Sequence, residues 1–536
     1  MFYQNQLFMI EYLPFYLTII VLIVLLNIWA AKLRIAYPIL LVLAGLAISF
    51  IPGLPVLHID PNLIFFIFLP PLLFEASWSV SLKEMKKWWR IIGSFAFLVV
   101  FFTAFLVAIV SNHFIPGFSI ALGFVLGGIV SPPDAVSTGA ITKFVDIPKS
   151  TSAILEGESL LNDASSLIIF RFALVAVGTG QLIWFDATRD FFWMLIGGVG
   201  VGLLIGWIFI QIHKKLATDA SSDIVLTLIE PYLMYYIAEE MHCSGVLAVV
   251  SGGLLMSSRN LSFLSSTSRL KGLSFWECFS FLLNGIVFMI IGLGLPEIVD
   301  GIRSSGISLK TAIGYGVLIT FVLIFARIIS SYVAMIFTII FRRKVAHRMN
   351  LSRRTLWTPI VLGWTGMRGV VSLAAALAIP LKLENGEPFP HRNLILFITF
   401  IVILLTLLIQ GLTLPYIIKR FKPFHNLNSE DEDEESTRLR IKKELKLHSY
   451  EFIKEKYEKD WVGHIGMERV LKHWETQAEN QDIRWMDDDV KDVLLEMFEL
   501  QRAYLNELNK DSEINEEIIR QQIHQIDLEE ERIRYI

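Results

Sequence analysis

Cysteine and charge are both scarce in this 536-residue chain, and each scarcity excludes a class of protein. The two cysteines, Cys243 and Cys278, lie in or beside apolar runs and form neither a disulfide framework nor a CxxC motif. Charged residues make up 18% of the chain against 54% hydrophobic residues, and no basic cluster of the kind that binds nucleic acid is present. The composition predicts an all-α polytopic membrane protein with no nucleic-acid partner.

Charge is also unevenly distributed along the chain. It is sparse up to about residue 420 and dense afterwards, which predicts a transmembrane domain over 1–420 and a soluble tail over 421–536. The tail opens with the acidic run Glu430 to Glu435, and amphipathic stretches follow around 438–459 and 487–536. We expect a mostly helical tail with a regulatory or oligomerising role.

Apolar runs of spanning length recur along the first domain and predict about thirteen transmembrane helices. The weakest of these predictions is the short run 243–258. The predicted helices cover about 13–31, 35–51, 62–80, 92–111, 118–142, 152–178, 190–212, 223–240, 243–258, 275–296, 308–341, 356–380 and 392–418.

The positions of Lys and Arg predict how these helices are oriented. Residues 1–12 contain no Lys or Arg, so we expect a retained first helix with its N-terminus outside rather than a signal peptide. The alternate loops are then rich in Lys and Arg, which is the pattern of cytoplasmic loops. An odd number of helices then places the tail in the cytoplasm. We expect the protein to lie in the cell membrane.

The run 152–178 carries polar residues at its centre. A charged side chain there costs about 3 kcal/mol or more, so Glu158 and Asp163 need a functional or structural reason. At about 100° per residue, Ser159 and Asp163 share one helix face, while Glu158 and Asn162 share the neighbouring face. Such hard oxygen ligands suit Na⁺, Li⁺ or a proton. The structural alternative is an acid that is buried because an Arg pairs with it.

Glu156 lies on the stripe of Asp163, about two turns closer to the inner surface. We expect it to attract cations into a funnel rather than to bind them at the centre. Arg327, midway along the predicted helix 308–341, needs a buried acid partner, and Glu158 is the obvious candidate. Glu75 is expected to be an interfacial or packing acid rather than part of an ion path.

Two predicted helices have interrupted and charged centres. Pro132 and Pro133 break the helix 118–142 just before Asp134, and three glycines weaken the helix 356–380 around Arg368. Broken helices at matching positions of two halves indicate a transporter with inverted repeats, here helices one to six and eight to thirteen with helix seven as linker. The alternative is that Gly and Pro only kink closely packed helices.

Five short motifs stand out in the predicted transmembrane domain. They are FLPPLLFEA (Phe68–Ala76), SPPDAVS (Ser131–Ser137), GESLLNDA (Gly157–Ala164), FAR (Phe325–Arg327) and GMRG (Gly366–Gly369). These motifs resemble those of the sodium/proton exchanger family, the cation:proton antiporters with an Asn-Asp pair found in bacterial NhaP-type and animal NHE-type proteins. The resemblance covers about residues 10–420.

The resemblance implies a role for each matching residue. Asp163 alternately binds cation and proton, and Ser159 supplies a further oxygen to Na⁺. Asn162 and Asp134 stabilise the point where the two broken helices cross. Glu158 pairs with Arg327. The guanidinium of Arg368 offsets the dipoles of the half-helices.

The resemblance also implies a homodimer built from two groups of helices. A dimerisation group would comprise the helices at about 13–80 and 223–296, and a mobile core group those at about 92–178 and 308–418. The helix at about 190–212 would link them. The sequence departs from the usual motif SPTDPVA, because Pro133 and Ala135 stand where Thr and Pro are typical, and one hydroxyl ligand is lost.

These observations predict secondary active exchange of Na⁺, with Li⁺ or K⁺ as alternatives, for H⁺. Competition of the two ions for Asp163 would couple their fluxes, and one titrating carboxylate makes the exchange electroneutral. We expect neither an enzyme nor a cofactor, since no phosphate-binding motif and no HExxH motif occurs. The rival interpretations are a cation channel, which would need a selectivity filter, and a membrane-embedded hydrolase.

Overall fold

The computed structural model is almost entirely helical. It describes residues 2–51, 64–142, 149–180, 184–216, 219–341, 357–383 and 386–421. Beyond residue 421 it describes only residues 444, 447, 451, 455, 495, 497–503, 505, 522 and 525–530. Among all the described residues, the only extended pairing is an isolated antiparallel bridge between Lys382 and Pro388.

Up to residue 180, the described residues form eight helices; a π-helical turn at Ile64–Phe68 leads into the third, and another at Ser94–Val99 joins the fourth to the fifth. They are α1 (Phe2–Leu33), α2 (Tyr37–Ser49), α3 (Leu69–Ser79), α4 (Leu82–Gly93), α5 (Val100–Phe114), α6 (Ile120–Val130), α7 (Ala135–Thr142) and α8 (Lys149–Thr179).

Ten more helices follow in the described residues, with a third π-helical segment at Thr406–Gln410 between the last two. They are α9 (Trp184–Leu216), α10 (Ala220–Glu240), α11 (Gly245–Phe263), α12 (Ser266–Leu293), α13 (Leu295–Ser304), α14 (Leu309–Phe341), α15 (Thr358–Trp364), α16 (Val370–Leu377), α17 (Arg392–Leu405) and α18 (Gly411–Phe421).

Each of the thirteen predicted apolar runs contains a helix, including the weakest one, where α11 extends to Phe263. Eight helical spans in the described residues are long and apolar enough to cross a membrane. Three further apolar helices, Tyr37–Ser49, Phe65–Ser79 and Ile120–Val130, are shorter. The protein is therefore a multi-span helical membrane protein, while the count of thirteen crossings stays a prediction.

Several helices begin earlier than the apolar runs indicate, and a serine caps the start of two of them. The run predicted at 92–111 is preceded by the charged helix α4, and Ser81 caps that helix by accepting a hydrogen bond from Glu84 N. Helix α12 begins at Ser266 rather than 275, and Ser265 caps it in the same way. Capping satisfies the exposed amides at a helix start and allows helical turns outside the apolar core. Hydropathy detects only the apolar part.

Glycines bring several pairs of helices into backbone contact. Side chains at Gly123 and Gly127 of α6 would come within 3 Å of Ala108 and Ala104 of α5. Gly45 of α2 meets α12, and Gly202 of α9 meets α11, in the same way. Among the described glycines, every approach this close stays within one predicted group, or joins the linker helix α9 to the dimerisation group.

Residues Asn426–Ile536 form a separate compact unit. Its described residues include two helical pieces, 497–503 and 525–530. Arg502 joins them, because its Nη2 lies 2.7 Å from Asp527 Oδ1 and also contacts Glu530. These charges raise the pKa of the Arg502 guanidinium above its usual value. The predicted stretch 438–459 falls almost wholly outside the described residues.

Candidate ion-binding site

The two interrupted helices predicted from the sequence cross at their breaks. Residues 131–134 separate α6 from α7, and residues 365–369 separate α15 from α16. The N–H of Asp134 donates to Met367 O at 2.7 Å, and the Thr138 hydroxyl donates to Thr365 O at 3.0 Å. Backbone groups that the breaks release from helical bonding are thus satisfied by the other broken helix, as an apolar interior requires.

Arg368 lies at the crossing and is 1% exposed. Its Nε donates to Val130 O at 2.8 Å, its Nη2 donates to Ser131 O at 3.4 Å, and its Nη1 donates to Gly366 O. These carbonyls belong to the C-terminal ends of α6 and of α15 with its following turn. Because such ends carry unsatisfied carbonyls and partial negative charge, the guanidinium compensates both half-helices at once.

Asp134 caps the start of α7. Its carboxylate accepts hydrogen bonds from Val136 N at 3.3 Å, from Ser137 N at 3.1 Å and from the Ser137 hydroxyl. Gly369 passes so close that a side chain there would come within 3 Å of Asp134 Oδ2. The crossing therefore holds one carboxylate, Asp134, and one guanidinium, Arg368. Each is bound to the end of a half-helix that carries the opposite partial charge.

Helix α8 packs on this crossing through Ser159 and Asn162. The carbonyl of Pro133 accepts from the Ser159 hydroxyl at 3.3 Å and from Asn162 Nδ2 at 3.5 Å. Asn162 Oδ1 is buried and receives no hydrogen bond from the residues that the structure describes. One amide oxygen next to Asp163 is consequently left without a donor.

Asp163 lies near the middle of α8 and is 7% exposed. Its backbone carbonyl accepts from the Ser166 hydroxyl at 2.9 Å. Within the described residues, no hydrogen bond reaches its carboxylate. The carboxylates of Asp163 and Asp134 thus differ in their hydrogen bonding, although both acids lie beside the same helix break.

Glu158 and Arg327 form a two-pronged ion pair, with distances of 2.7 Å from Nη1 to Oε1 and 3.0 Å from Nη2 to Oε2. Both side chains are at most 3% exposed. Arg327 Nε also donates to Leu362 O at 3.3 Å. This arginine therefore joins α8, α14 and α15 around the crossing.

A cavity of about 30 Å³ reaches this site. Its lining includes Asp134, Glu158, Ser159 and Arg327, while Asp163 lies one helical turn beyond Ser159. Glu156 also lines the cavity, its side chain is exposed, and its Oε1 accepts a hydrogen bond from the Ser152 hydroxyl at 2.8 Å. Glu75 is half-buried on α3, where its Oε1 accepts from the Ser79 hydroxyl at 3.3 Å, and it is not among the residues that line this cavity.

Comparison with known protein families identifies the family to which this chain belongs. The sequence profile described as "Sodium/hydrogen exchanger, transmembrane" matches residues 18–420, three quarters of the chain. The chain belongs to the sodium/hydrogen exchanger family. The matched range contains both broken helices and every residue of the site, and it lies within the first compact unit, Met1–His425.

Characterised relatives and solved structures agree with the family. The exchanger is 33% identical to the "Sodium, potassium, lithium and rubidium/H(+) antiporter" of Bacillus subtilis, over 72% of this chain and 58% of that protein. It is 31% identical to the "Low-affinity Na(+)/H(+) antiporter NhaS1" of Synechocystis, over 72% and 69%. The sodium proton antiporter MjNhaP1 of Methanocaldococcus jannaschii shares its fold, with a TM-score of 0.60 at 18% identity over 77% and 99%.

The exchanger keeps the helix break despite its departure at Pro133. A proline has no N–H, so it releases a carbonyl one turn earlier, while its own carbonyl anchors Ser159 and Asn162. Sequence reasoning missed this anchor and the roles of Thr138 and Thr406; the Thr406 hydroxyl accepts from Arg368 N at 3.2 Å. Mid-helix Thr residues facing a break were the available signal.

Proposed function

We propose that this exchanger moves Na⁺ against H⁺ across the cell membrane, with Li⁺ and K⁺ as further substrates, and that Asp163 is the shared ligand. The relatives named above include a Na⁺/H⁺ antiporter and one that also takes potassium, lithium and rubidium. The observation that carries the proposal is the carboxylate of Asp163, buried near the middle of α8 without a hydrogen bond from the described residues.

Competition at one carboxylate explains the coupling of the two ions. A buried carboxylate without partners is costly unless its charge is neutralised. A proton or a Na⁺ ion can neutralise Asp163, but each excludes the other. Asp134 and Glu158 do not compete, because amides and a hydroxyl satisfy the first and Arg327 satisfies the second.

Oxygen ligands for the cation are available next to Asp163. Ser159 lies one turn earlier on the same face of α8, and the unpaired Oδ1 of Asn162 is the adjacent buried oxygen. Carboxylate, hydroxyl and amide oxygens are the ligands that hard cations prefer. Glu156, exposed along the cavity, would raise the local concentration of cations before they reach the site.

The architecture that we infer has thirteen membrane crossings in two inverted repeats, with α6/α7 and α15/α16 as the crossing helices. The N-terminus lies outside and the tail in the cytoplasm. Two chains associate through the dimerisation group, and the core group carries the site between the two membrane faces. Close glycine packing inside each group, but not between them, supports two separately moving bodies.

The test is Asp163→Asn in proteoliposomes. An imposed Na⁺, Li⁺ or K⁺ gradient should drive internal pH change in the unaltered protein, and the variant should lose this flux because an amide neither binds a proton nor neutralises a cation. Its unfolding midpoint should stay within a few degrees of the unaltered protein.

The matched control is Asp300→Asn, which removes an acid that is 74% exposed and pairs with Arg303 in the next turn. It should exchange normally. Sodium-driven proton flux that survives in Asp163→Asn would remove Asp163 from the mechanism, and cation flux that needs no counter-gradient would indicate a channel.

A further inference from the structure

A second cluster of buried ionisable side chains lies away from the ion-binding site, where α9 ends and α10 begins. It consists of His213, Asp223 and Glu230, which we call the His213 cluster, and each member is at most 5% exposed. His213 Nδ1 lies 2.9 Å from Asp223 Oδ1, and Nε2 lies 2.7 Å from Glu230 Oε1. The exchange mechanism uses none of these residues.

The hydrogen-bond geometry of the His213 cluster requires one proton more than a neutral imidazole and two ionised carboxylates would have. A neutral imidazole donates a hydrogen bond from only one ring nitrogen, and the other nitrogen only accepts. Here a carboxyl oxygen faces each nitrogen, so two ionised carboxylates would leave one contact between two acceptors. The observed distances therefore require one further proton, either on the imidazole or on a carboxyl group.

A hydroxyl group and an aromatic ring lie against the cluster. The Ser268 hydroxyl of α12 donates to Asp223 Oδ2 at 2.6 Å, and the Phe263 ring of α11 lies 5.2 Å from the His213 ring. Glu230 Oε2 is buried and has no hydrogen-bond partner in the described part of the chain. Within the described residues, neither carboxylate forms a salt bridge with Lys or Arg, and Arg269 of α12, next to Ser268, donates instead from Nη1 to Leu264 O at 2.6 Å.

The cluster ties the linker helix to the dimerisation group. His213 lies in the last turn of α9, beside Lys214 and Lys215, on the side expected to face the cytoplasm. Its partners lie on α10, which α12 holds through Ser268. A change of charge here acts on the element that connects the two predicted groups of helices.

We propose that the His213 cluster is a second proton-binding site, separate from the transport site, and that cytoplasmic pH regulates exchange through it. With its proton bound, the cluster clamps α9 to α10 and α12 and slows movement of the linker. When the proton leaves, two buried carboxylates face one neutral imidazole, the acceptors repel, and the clamp opens. The regulatory step rests on the exchange proposed above, whereas proton binding does not.

Two single substitutions satisfy the cluster without the extra proton. Glu230→Gln presents an amide donor to Nε2 while Nδ1–H donates to Asp223. Asp223→Asn presents a donor to Nδ1 while Nε2–H donates to Glu230. Both therefore keep the clamp closed at every pH, and Glu240→Gln, which changes an exposed acid on the same helix, is the control.

The first measurement is the unfolding midpoint of the purified protein at a series of pH values. Proton loss should lower the midpoint of the unaltered protein and of Glu240→Gln towards alkaline pH, and each single variant should show a smaller decrease. The double variant Asp223→Asn/Glu230→Gln should also show a smaller decrease, because one amide can donate to the neutral imidazole while the oxygen of the other accepts from it.

The second measurement is cation-driven proton flux in proteoliposomes at varied pH on the tail side. Exchange by the unaltered protein should rise several-fold towards alkaline pH, and Glu230→Gln should stay slow there. Equal pH profiles of unfolding in the variant and the unaltered protein would overturn proton binding. A flattened unfolding profile with an unaltered flux profile would overturn regulation. Absent flux in every protein would count against the exchange itself and leave the unfolding test valid.

Discussion

Three acids around the crossing differ in what their carboxylates bind. Asp134 accepts two backbone N–H groups and a hydroxyl, Glu158 binds Arg327 through both oxygens, and Asp163 has no such partner in the described residues. Because a saturated carboxylate has little to gain from a cation, these contacts support the proposal that Asp163 is the exchanging group. The residue type alone could not make this distinction.

The Glu158–Arg327 pair gives a prediction for stability. Arg327→Ala should cost about 3–5 kcal/mol of unfolding free energy, because it leaves Glu158 charged and buried without a partner. The double variant Glu158→Gln/Arg327→Gln should cost less than Arg327→Ala, since neither remaining group is charged. A thermal-unfolding cycle through both positions measures the coupling.

The exposed pair Asp300–Arg303 provides the reference cycle. Its nitrogen and oxygen are 3.6 Å apart and both side chains are at least 70% exposed, so its coupling should be about 0–1 kcal/mol. If the buried pair couples no more strongly than this exposed pair, the stabilising role that we assign to Arg327 is wrong.

The sequence was informative about charges at the residue scale and uninformative about neutral donors and acceptors. A charge in a membrane helix needs a partner, so the sequence alone was enough to match Glu158 to Arg327. No such rule reveals that Pro133 O accepts from Ser159, or that Asn162 Oδ1 lacks a donor. Those facts depend on distances of a few tenths of an ångström between elements.

At the scale of elements, the crossing depends on the absence of a side chain at Gly369. Gly369→Ala should reduce exchange at least about tenfold, because its methyl group would displace the Asp134 carboxylate and misplaced binding groups lose up to about 10²-fold. The flux assay in proteoliposomes measures the loss.

The control for that substitution is Gly314→Ala on α14, where an added methyl group meets nothing within 4 Å. It should leave exchange unchanged and slightly favour the helix, since Ala has the higher helix propensity. Normal exchange in Gly369→Ala would show that the crossing tolerates displacement of Asp134.

Helix breaks were predictable, and helix starts were not. Pro132 with Pro133, and the glycines around Arg368, marked both interruptions in the sequence because these residues lose helical hydrogen bonds or favour other conformations. Helix α4 was missed because hydropathy weighs burial, whereas Ser81 starts this helix through a local hydrogen bond. Local capping and global burial are separate causes of helix formation.

At the scale of the whole molecule, the acids whose carboxylates are already bound to protein groups allow a prediction of the net charge moved per transport cycle. Asn162 does not titrate, and Asp134 and Glu158 are bound to protein groups, so one proton on Asp163 should balance one Na⁺. Transport should therefore be independent of membrane potential in proteoliposomes clamped with K⁺ and valinomycin. Asn162→Asp, which adds a second carboxylate, is the comparison and should make the rate voltage-dependent.

A reversal point that moves with potential in the unaltered protein would contradict one-for-one exchange. Glu156, exposed along the cavity, would then be the first candidate for a second proton carrier. Glu156→Gln should in that case restore the voltage independence, and it should otherwise only weaken the attraction of cations to the cavity.

The distribution of close glycine contacts has a kinetic consequence. Where backbones touch, as between α5 and α6 or between α2 and α12, one helix cannot slide along the other before the two separate. Between α8 and α11 the described glycines make no such contact, and Arg171 Nη2 of α8 meets Glu239 Oε2 of α10 at 2.6 Å across the same boundary. On the proposed division into two groups, movement would therefore part few close backbone contacts and would exchange side-chain contacts such as this ion pair. Turnover would be limited by how fast side chains and surrounding lipid rearrange, and not by the breaking of helix pairs.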